Sequence, residues 1–251
     1  MDSVNKRQKK FLSSKEIVNR AALMEALRVA MTSKDFTLLL GPKNVGKTRI
    51  RQEVISRSES KKKVTIIDVN MRERPTEELL EALLAEATNK GTKDPASVET
   101  LEAIDAVSPN VASLFAAIAV GANPSMAAPT AAPIATSLGE AIAKMTGKEK
   151  EKTLLEMIKA FQESGNATCI VADEANLALP MAGDTVSARD ALAVFVTLTK
   201  ESLQASVVLF SSQLSFPYRL EACGMNLQDI KKIIIANEVP KDDVLQLMTN
   251  G

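Results

Sequence analysis

Eight consecutive residues, Gly41-Pro42-Lys43-Asn44-Val45-Gly46-Lys47-Thr48, satisfy the pattern G-x-x-x-x-G-K-[ST]. The chemistry such a turn can do is to hold a polyphosphate. Glycines let the backbone wrap an anion without side-chain interference, and the amides that open a following helix point at it. Lys47 would bridge the terminal phosphates, and the Thr48 hydroxyl would hold magnesium. An ordinary strand-turn-helix junction is the bland alternative. Against it, the octapeptide is complete and lies between an apolar run and a helical pattern.

A second group could act with it. Ile170-Val171-Ala172-Asp173-Glu174 puts two carboxylates at the end of an apolar run. Asp173 could hold magnesium, usually through water, beside Thr48, and Glu174 could polarise an attacking water as a general base. Alone, the dipeptide is equally a solvated strand end; with the glycine turn upstream it suits cleavage of a phosphoanhydride. Guanine recognition is not provided for. Asn89-Lys90-Gly91-Thr92 lacks the acid of N-K-x-D, and no D-x-x-G follows the acidic pair. The expected nucleotide is ATP, with Mg2+ as cofactor.

Other catalytic schemes are closed. The 251 residues include no histidine, which excludes Ser-His-Asp and Cys-His catalysis and every histidine metal site. Cys169 and Cys223 make neither a zinc cluster nor a disulfide framework, and both are expected as reduced thiols, Cys169 in a buried strand. Because 31 basic residues balance 31 acidic ones, non-specific binding to nucleic acid is not the main business of the chain. The start, MDSVNKRQKKF, has no secretory apolar stretch, so an intracellular, cytoplasmic location is expected. Lys6, Arg7, Lys9 and Lys10 form either a solvated tail or a small contact to nucleic acid, with a nuclear address as a further use.

The elements that must position these groups follow from hydrophobic patterning. Short apolar runs at 36–40, 64–69, 168–172, 206–210 and 232–236 alternate with helical patterns, as in a parallel sheet buried from both sides. Helices are predicted over 16–31, 48–56, 76–87 and 242–248. Leu154, Leu155, Met157, Ile158 and Phe161 share one face of another. Ser187 with Asp190 predicts the cap of a helix running to about residue 204. The segment 106–139 has no charged residue, yet Pro109, Pro124, Pro129 and Pro133 interrupt it. No run reaches the roughly 20 apolar residues of a membrane-spanning helix. It is expected as an Ala-rich insertion, packed on the domain or partly mobile, with a partner-binding or membrane-touching surface as the alternative. Residues 1–15 read as a basic flexible tail and 16–251 as one core.

With both motifs placed, the chain resembles the AAA+ type P-loop ATPases and, more narrowly, is similar to the archaeal-type ATPases of the STAND group. The resemblance runs from Phe11 onward, interrupted by the Ala-rich segment. Val18-Asn19-Arg20 stands where that family opens with G-R-E, Asn19 replacing the glycine and Ala21 the glutamate. The resemblance implies a three-layer α/β P-loop NTPase fold with a five-stranded, mostly parallel sheet of the AAA+/additional-strand type. It implies Arg20 on the adenine side and a polar sensor where Ser211 and Ser212 follow the fourth run; a bland turn is the alternative. It further implies an arginine finger acting in trans on a neighbouring subunit's nucleotide, hence a homo-oligomer. Arg219 is the candidate, with a surface arginine beside Glu221 as the alternative. These ATPases normally continue into a lid, whereas this sequence stops at Gly251, so no complete C-terminal lid is expected, through truncation or through dependence on a partner.

Two functions follow. The first is an ATPase that couples binding and hydrolysis of Mg-ATP to a conformational or assembly change. The second is a nucleotide-dependent switch that recognises an unknown protein or nucleic acid, with weak or no hydrolysis. A small-molecule kinase would want an arginine-rich lid and an acceptor pocket, and the sequence shows neither.

Overall fold

The computed structural model describes residues 21–59, 64–74, 78–93, 138–179 and 186–236. The basic tail, Arg20, the helix expected over 242–248 and nearly all of segment 106–139 lie outside them. Helix α1 (Ala21–Ala30) leads into β1 (Phe36–Leu40), the glycine turn and α2 (Lys47–Glu59). Next come β2 (Val64–Asn70), α3 (Leu79–Lys93), a helical stretch at 138–143 and α4 (Gly147–Glu163). Strand β3 (Ala167–Asp173) ends in a 3-10 turn (Ala175–Leu177), followed by α5 (Val186–Val196) and β4 (Ala205–Ser211). Helix α6 (Phe216–Ala222), a second 3-10 turn (Leu227–Asp229) and β5 (Lys232–Ile235) complete the described chain.

All strand pairs are parallel, in the order β2-β3-β4-β1-β5. Each predicted strand forms, with ends within a residue of expectation. Alternation along the strands divides the core in two. Leu39, Ile66, Cys169, Val171, Val208 and Phe210 pack with Leu27 and Met31 of α1 and Ile50 and Val54 of α2. Their neighbours Leu38, Ile67, Ile170, Ala172, Val207 and Leu209 pack with α3, α4 and α5 through Leu83, Met157, Phe161 and Phe195. A sheet covered on both faces needs such apolar runs. This is the expected three-layer arrangement.

The differences have local causes. β5 is an edge strand in which Ile233 and Ile235 are exposed while Ile234 packs on the core, so burial from both sides fails there. Helix α3 begins at Leu79 and runs to Lys93, later at both ends than the pattern placed it. The buried Thr88 hydroxyl, bonded to Leu84 O at 2.7 Å, keeps the helix packed beyond Ala87. Ser187 is a helical residue of α5, not its cap, because the helix already begins at Val186. The end of that helix widens into a π turn (Thr197–Glu201), closed by Ser202 N and Oγ on Thr197 O at 2.9 and 2.8 Å. Among the described residues no helical lid follows β5, and no helix is long and apolar enough to cross a membrane.

Cys169 in β3 and Cys223 after α6 are both free and buried, as expected for Cys169. Burial pushes both thiols above the usual cysteine range, Cys169 by far the more, with the nearby Asp68 charge adding to it.

Truncating the two kinds of strand position should separate them. Leu209→Ala, at a fully buried site, should lower unfolding free energy by about 2–5 kcal/mol in urea titrations. Ile233→Ala, at a half-exposed site, should stay within about 1 kcal/mol of the parent. Equal losses would show that the outer face of β5 is covered.

Candidate functional site

Parallel strands all present their carboxyl ends to one edge, where open α/β sheets form their crevices. Here β4 lies between β1 and β3, so the glycine turn after β1 and the carboxylates after β3 flank the end of β4. An open cleft of about 780 Å³ lies over this edge. Its lining includes the cations Lys43, Lys47, Arg49 and Arg72 against the single carboxylate of Glu174, a balance that favours an anion.

The glycine turn is fixed at both ends. Gly41 N donates to Ser211 O at 3.3 Å, and a Cβ on Gly41 would come 2.5 Å from Ala236 O, so no side chain fits. Gly46 takes φ +81° and Asn44 φ 68°, the left-handed conformations that turn the chain into α2. Pro42, Lys43 and Asn44 are exposed, whereas Val45 is buried in the core shared with α1 and α2. Lys47 folds back beneath the turn, its Nζ donating to Gly41 O at 2.7 Å and Pro42 O at 2.8 Å. Thr48 Oγ1 donates to Asp173 Oδ2 at 2.8 Å, which ties the turn to the acidic pair.

Asp173 is the last residue of β3 and is buried; its Oδ1 accepts from Glu174 N at 3.0 Å. Glu174 is outside the strand, with left-handed backbone (φ 51°, ψ 39°) that swings its side chain toward the cleft. Its carboxylate accepts from Arg72 Nη2 at 2.5 Å and Ser212 Oγ at 3.0 Å. The two serines divide their work: Ser212 meets Glu174, while the buried Ser211 donates to Asn176 Oδ1 at 2.9 Å. Arg219 is not beside Glu221 on the surface. It is partly buried, its Nη1 donating to Asn176 O at 2.9 Å and lying 3.5 Å from Leu179 O.

Sequence reasoning missed Arg51, Asp68, Arg72 and Asn176. Arg51 follows Thr48 by three residues on α2, a spacing that places both on the sheet side. Its buried Nη1 donates to Asp68 Oδ1 at 3.0 Å and lies 3.7 Å from Asp173 Oδ2. A lone aspartate within the apolar run of β2 was the available signal. Burial pushes Asp68 up to about 6, opposed by the Arg51 guanidinium and aided by the charge of Asp173. Arg72, in the turn after β2, lies in no pattern.

Magnesium fits this donor set. A hydroxyl and a carboxylate oxygen stand in contact at the cleft, the hard oxygen donors that magnesium takes alongside waters and phosphate. Among the described residues no group of three or more His, Cys, Asp or Glu gathers in a way that could hold a metal ion by itself.

No family model and no curated protein matches the chain. Solved structures do. A Walker-type ATPase of Pyrococcus abyssi is similar over 94% of this chain and 58% of its own, with TM-score 0.58 and 16% identity. Cdc6p of Pyrobaculum aerophilum is similar over 93% and 49%, with TM-score 0.55 and 12% identity. The ORC2 protein of Aeropyrum pernix, in ADPNP–ADP complexes, is similar over 93% and 52%, with TM-score 0.53 and 12% identity. The chain spans about half to three-fifths of the length of these proteins. The shared fold is a three-layer α/β architecture around a five-stranded parallel sheet.

Asp68 gives the site a pH signature. With a folded value near 6 against 3.8 unfolded, its contribution to stability is fully present below about pH 4 and is lost as pH rises through 6. At ~1.4 kcal/mol per unit the loss is about 3 kcal/mol. Urea unfolding from pH 4 to 7 should show the parent losing stability relative to Asp68→Asn across this window. Parallel curves would mean that Arg51 holds Asp68 ionised throughout.

Proposed function

We propose that the chain is a magnesium-dependent ATPase that couples ATP binding and hydrolysis to a conformational or assembly change. The observation that carries this reading is the 2.8 Å bond from Thr48 to Asp173, which joins the glycine turn to the acidic pair beside a cationic cleft. The amides of the 41–48 turn, with Lys43 and Lys47, hold the phosphates. Magnesium, when bound, is held by the Thr48 hydroxyl and by Asp173 through water, and neutralises phosphate charge. A water oxygen attacks the γ-phosphorus, the bond from that phosphorus to the β–γ bridging oxygen breaks, and ADP leaves with the electron pair. Glu174 takes the water's proton, and Ser212 holds the Glu174 carboxylate in place. The narrower likeness to the archaeal-type STAND ATPases rests on the octapeptide, and the adenine-side role of Arg20 on the resemblance alone.

One contact favours a second reading, a nucleotide-dependent switch that recognises protein or nucleic acid and hydrolyses slowly. Glu174 is already paired with Arg72 at 2.5 Å, so one of its carboxylate oxygens is occupied before any water arrives. The Arg72 side chain is 63% exposed, so the pair can open without disturbing the core.

Calorimetry and phosphate release test both readings. Lys47→Ala should weaken ATP binding by at least about 100-fold, because the loss of a buried phosphate partner is costly. Glu174→Gln should bind ATP and magnesium as the parent does while phosphate release falls by about 100-fold or more. Parent-like turnover of Glu174→Gln would remove the general base. Arg72→Ala should raise turnover several-fold if the ion pair limits hydrolysis; turnover that does not rise favours the first reading.

A further inference from the structure

The turn that follows Glu174 is held from outside by the Ser211 hydroxyl and the Arg219 guanidinium. Asn176 is buried, and both of its oxygens are taken by the unit formed by β4 and α6: Oδ1 accepts from Ser211 Oγ at 2.9 Å, and the backbone O accepts from Arg219 Nη1 at 2.9 Å. The same Nη1 lies 3.5 Å from Leu179 O, so Arg219 reaches both ends of the 176–179 segment. Its Nε is buried and has no partner, a cost accepted only where the rest of the side chain is committed to one position. Within the turn, Leu177 N donates to Glu174 O at 2.8 Å and Ala178 N to Ala175 O at 3.2 Å. The first of these closes directly on Glu174, whose left-handed backbone persists only while its surroundings over-determine it.

We infer that Arg219 is a positioning residue acting in cis: by fastening Asn176 O and Leu179 O to α6, it holds the turn that aims the Glu174 carboxylate at the cleft. This rests on the ATPase reading for its catalytic consequence, but not for its geometry. It competes with a trans finger, because a guanidinium committed to the carbonyls of its own chain is not available to a neighbour's nucleotide. α6 starts four residues after Ser212, which itself bonds Glu174, so one short stretch supports that carboxylate both directly and through the turn.

The test uses the full chain with ATP and magnesium. Arg219→Ala should lower kcat about tenfold or more while the ATP Kd changes less than about twofold, since the 41–48 turn is untouched. Arg219→Lys should recover part of kcat, because one ammonium can still donate to Asn176 O. Adding Lys47→Ala protein, inactive but carrying an intact Arg219, should give no turnover above that of Arg219→Ala alone. Recovery of activity in the mixture would overturn the cis role and restore the trans finger. A lysine variant no better than alanine would overturn the hydrogen-bonded brace. Parent-like kcat in Arg219→Ala would also overturn it. Amide hydrogen exchange supplies a readout independent of turnover. Exchange at Leu177 and Ala178 should quicken about tenfold or more in Arg219→Ala while Ile50 and the β4 amides are unchanged. Unchanged exchange at Leu177 and Ala178 would refute the brace even if the protein hydrolyses no ATP. An inactive parent combined with quickened exchange would refute only the ATPase reading.

Discussion

The hydrogen bond from Thr48 to Asp173 reaches past a strand. Neighbouring parallel strands are about 4.8 Å apart, so β1 and β3, with β4 between them, stand roughly 10 Å apart. A side chain at the end of β1 could not cover that distance. The glycine turn does so by starting α2 over the end of β4, which brings Thr48 within 2.8 Å of the carboxylate. The contact therefore depends on register. Leu40 is level with Ser211, and Leu209 with Ala172, so the three strands finish together. A one-residue slip of β4 would exchange its two buried faces and move Ser211 and Ser212 away from their partners.

Charge arrangement supports this geometry from behind. Arg51 is buried between Asp68 and Asp173, with only 5% of its side chain exposed. Such a cluster adds little net stability, but removing one member leaves a buried charge uncompensated, at about 3–5 kcal/mol. It ties α2 to the ends of β2 and β3 on the side where Thr48 meets Asp173. The left-handed backbone at Glu174 has the same character. It costs on the order of 1 kcal/mol in isolation and is held by Ser212, Arg72 and the turn that follows.

How much of this could be seen in the sequence depended on the range of the interaction. Strands were legible because apolar runs covered on two faces leave a continuous signal, and the two faces then sort by alternation, as with Ile66 and Ile67 on opposite cores. The octapeptide and the acidic pair were legible because each chemistry is written in adjacent residues. Their mutual contact, from Thr48 to Asp173, spans 125 residues and is written in neither stretch alone. Arg72, Asn176 and the inward turn of Arg219 were not legible, since each acts on a residue tens of positions away and none repeats a local pattern. β5 misled because an isoleucine run reads the same whether its outer face is packed or lies at a sheet edge. Ser187 misled because the helix already includes Val186, so Ser187 has helical backbone instead of the extended backbone of a capping residue.

The two thiols have a consequence of a different kind. Cys169 and Cys223 are at most 1% exposed, one in the middle of the sheet and the other at the end of the helix that carries Arg219. Only the thiolate reacts with an electrophile, and burial suppresses both ionisation and access. Alkylation at neutral pH is therefore governed by opening of the protein and not by thiol chemistry. The rates differ by location: Cys223 reacts when α6 lifts from the domain, and Cys169 waits for the sheet to come apart. The chain thus carries, without any engineered label, one clock for local release beside the cleft and another for global unfolding.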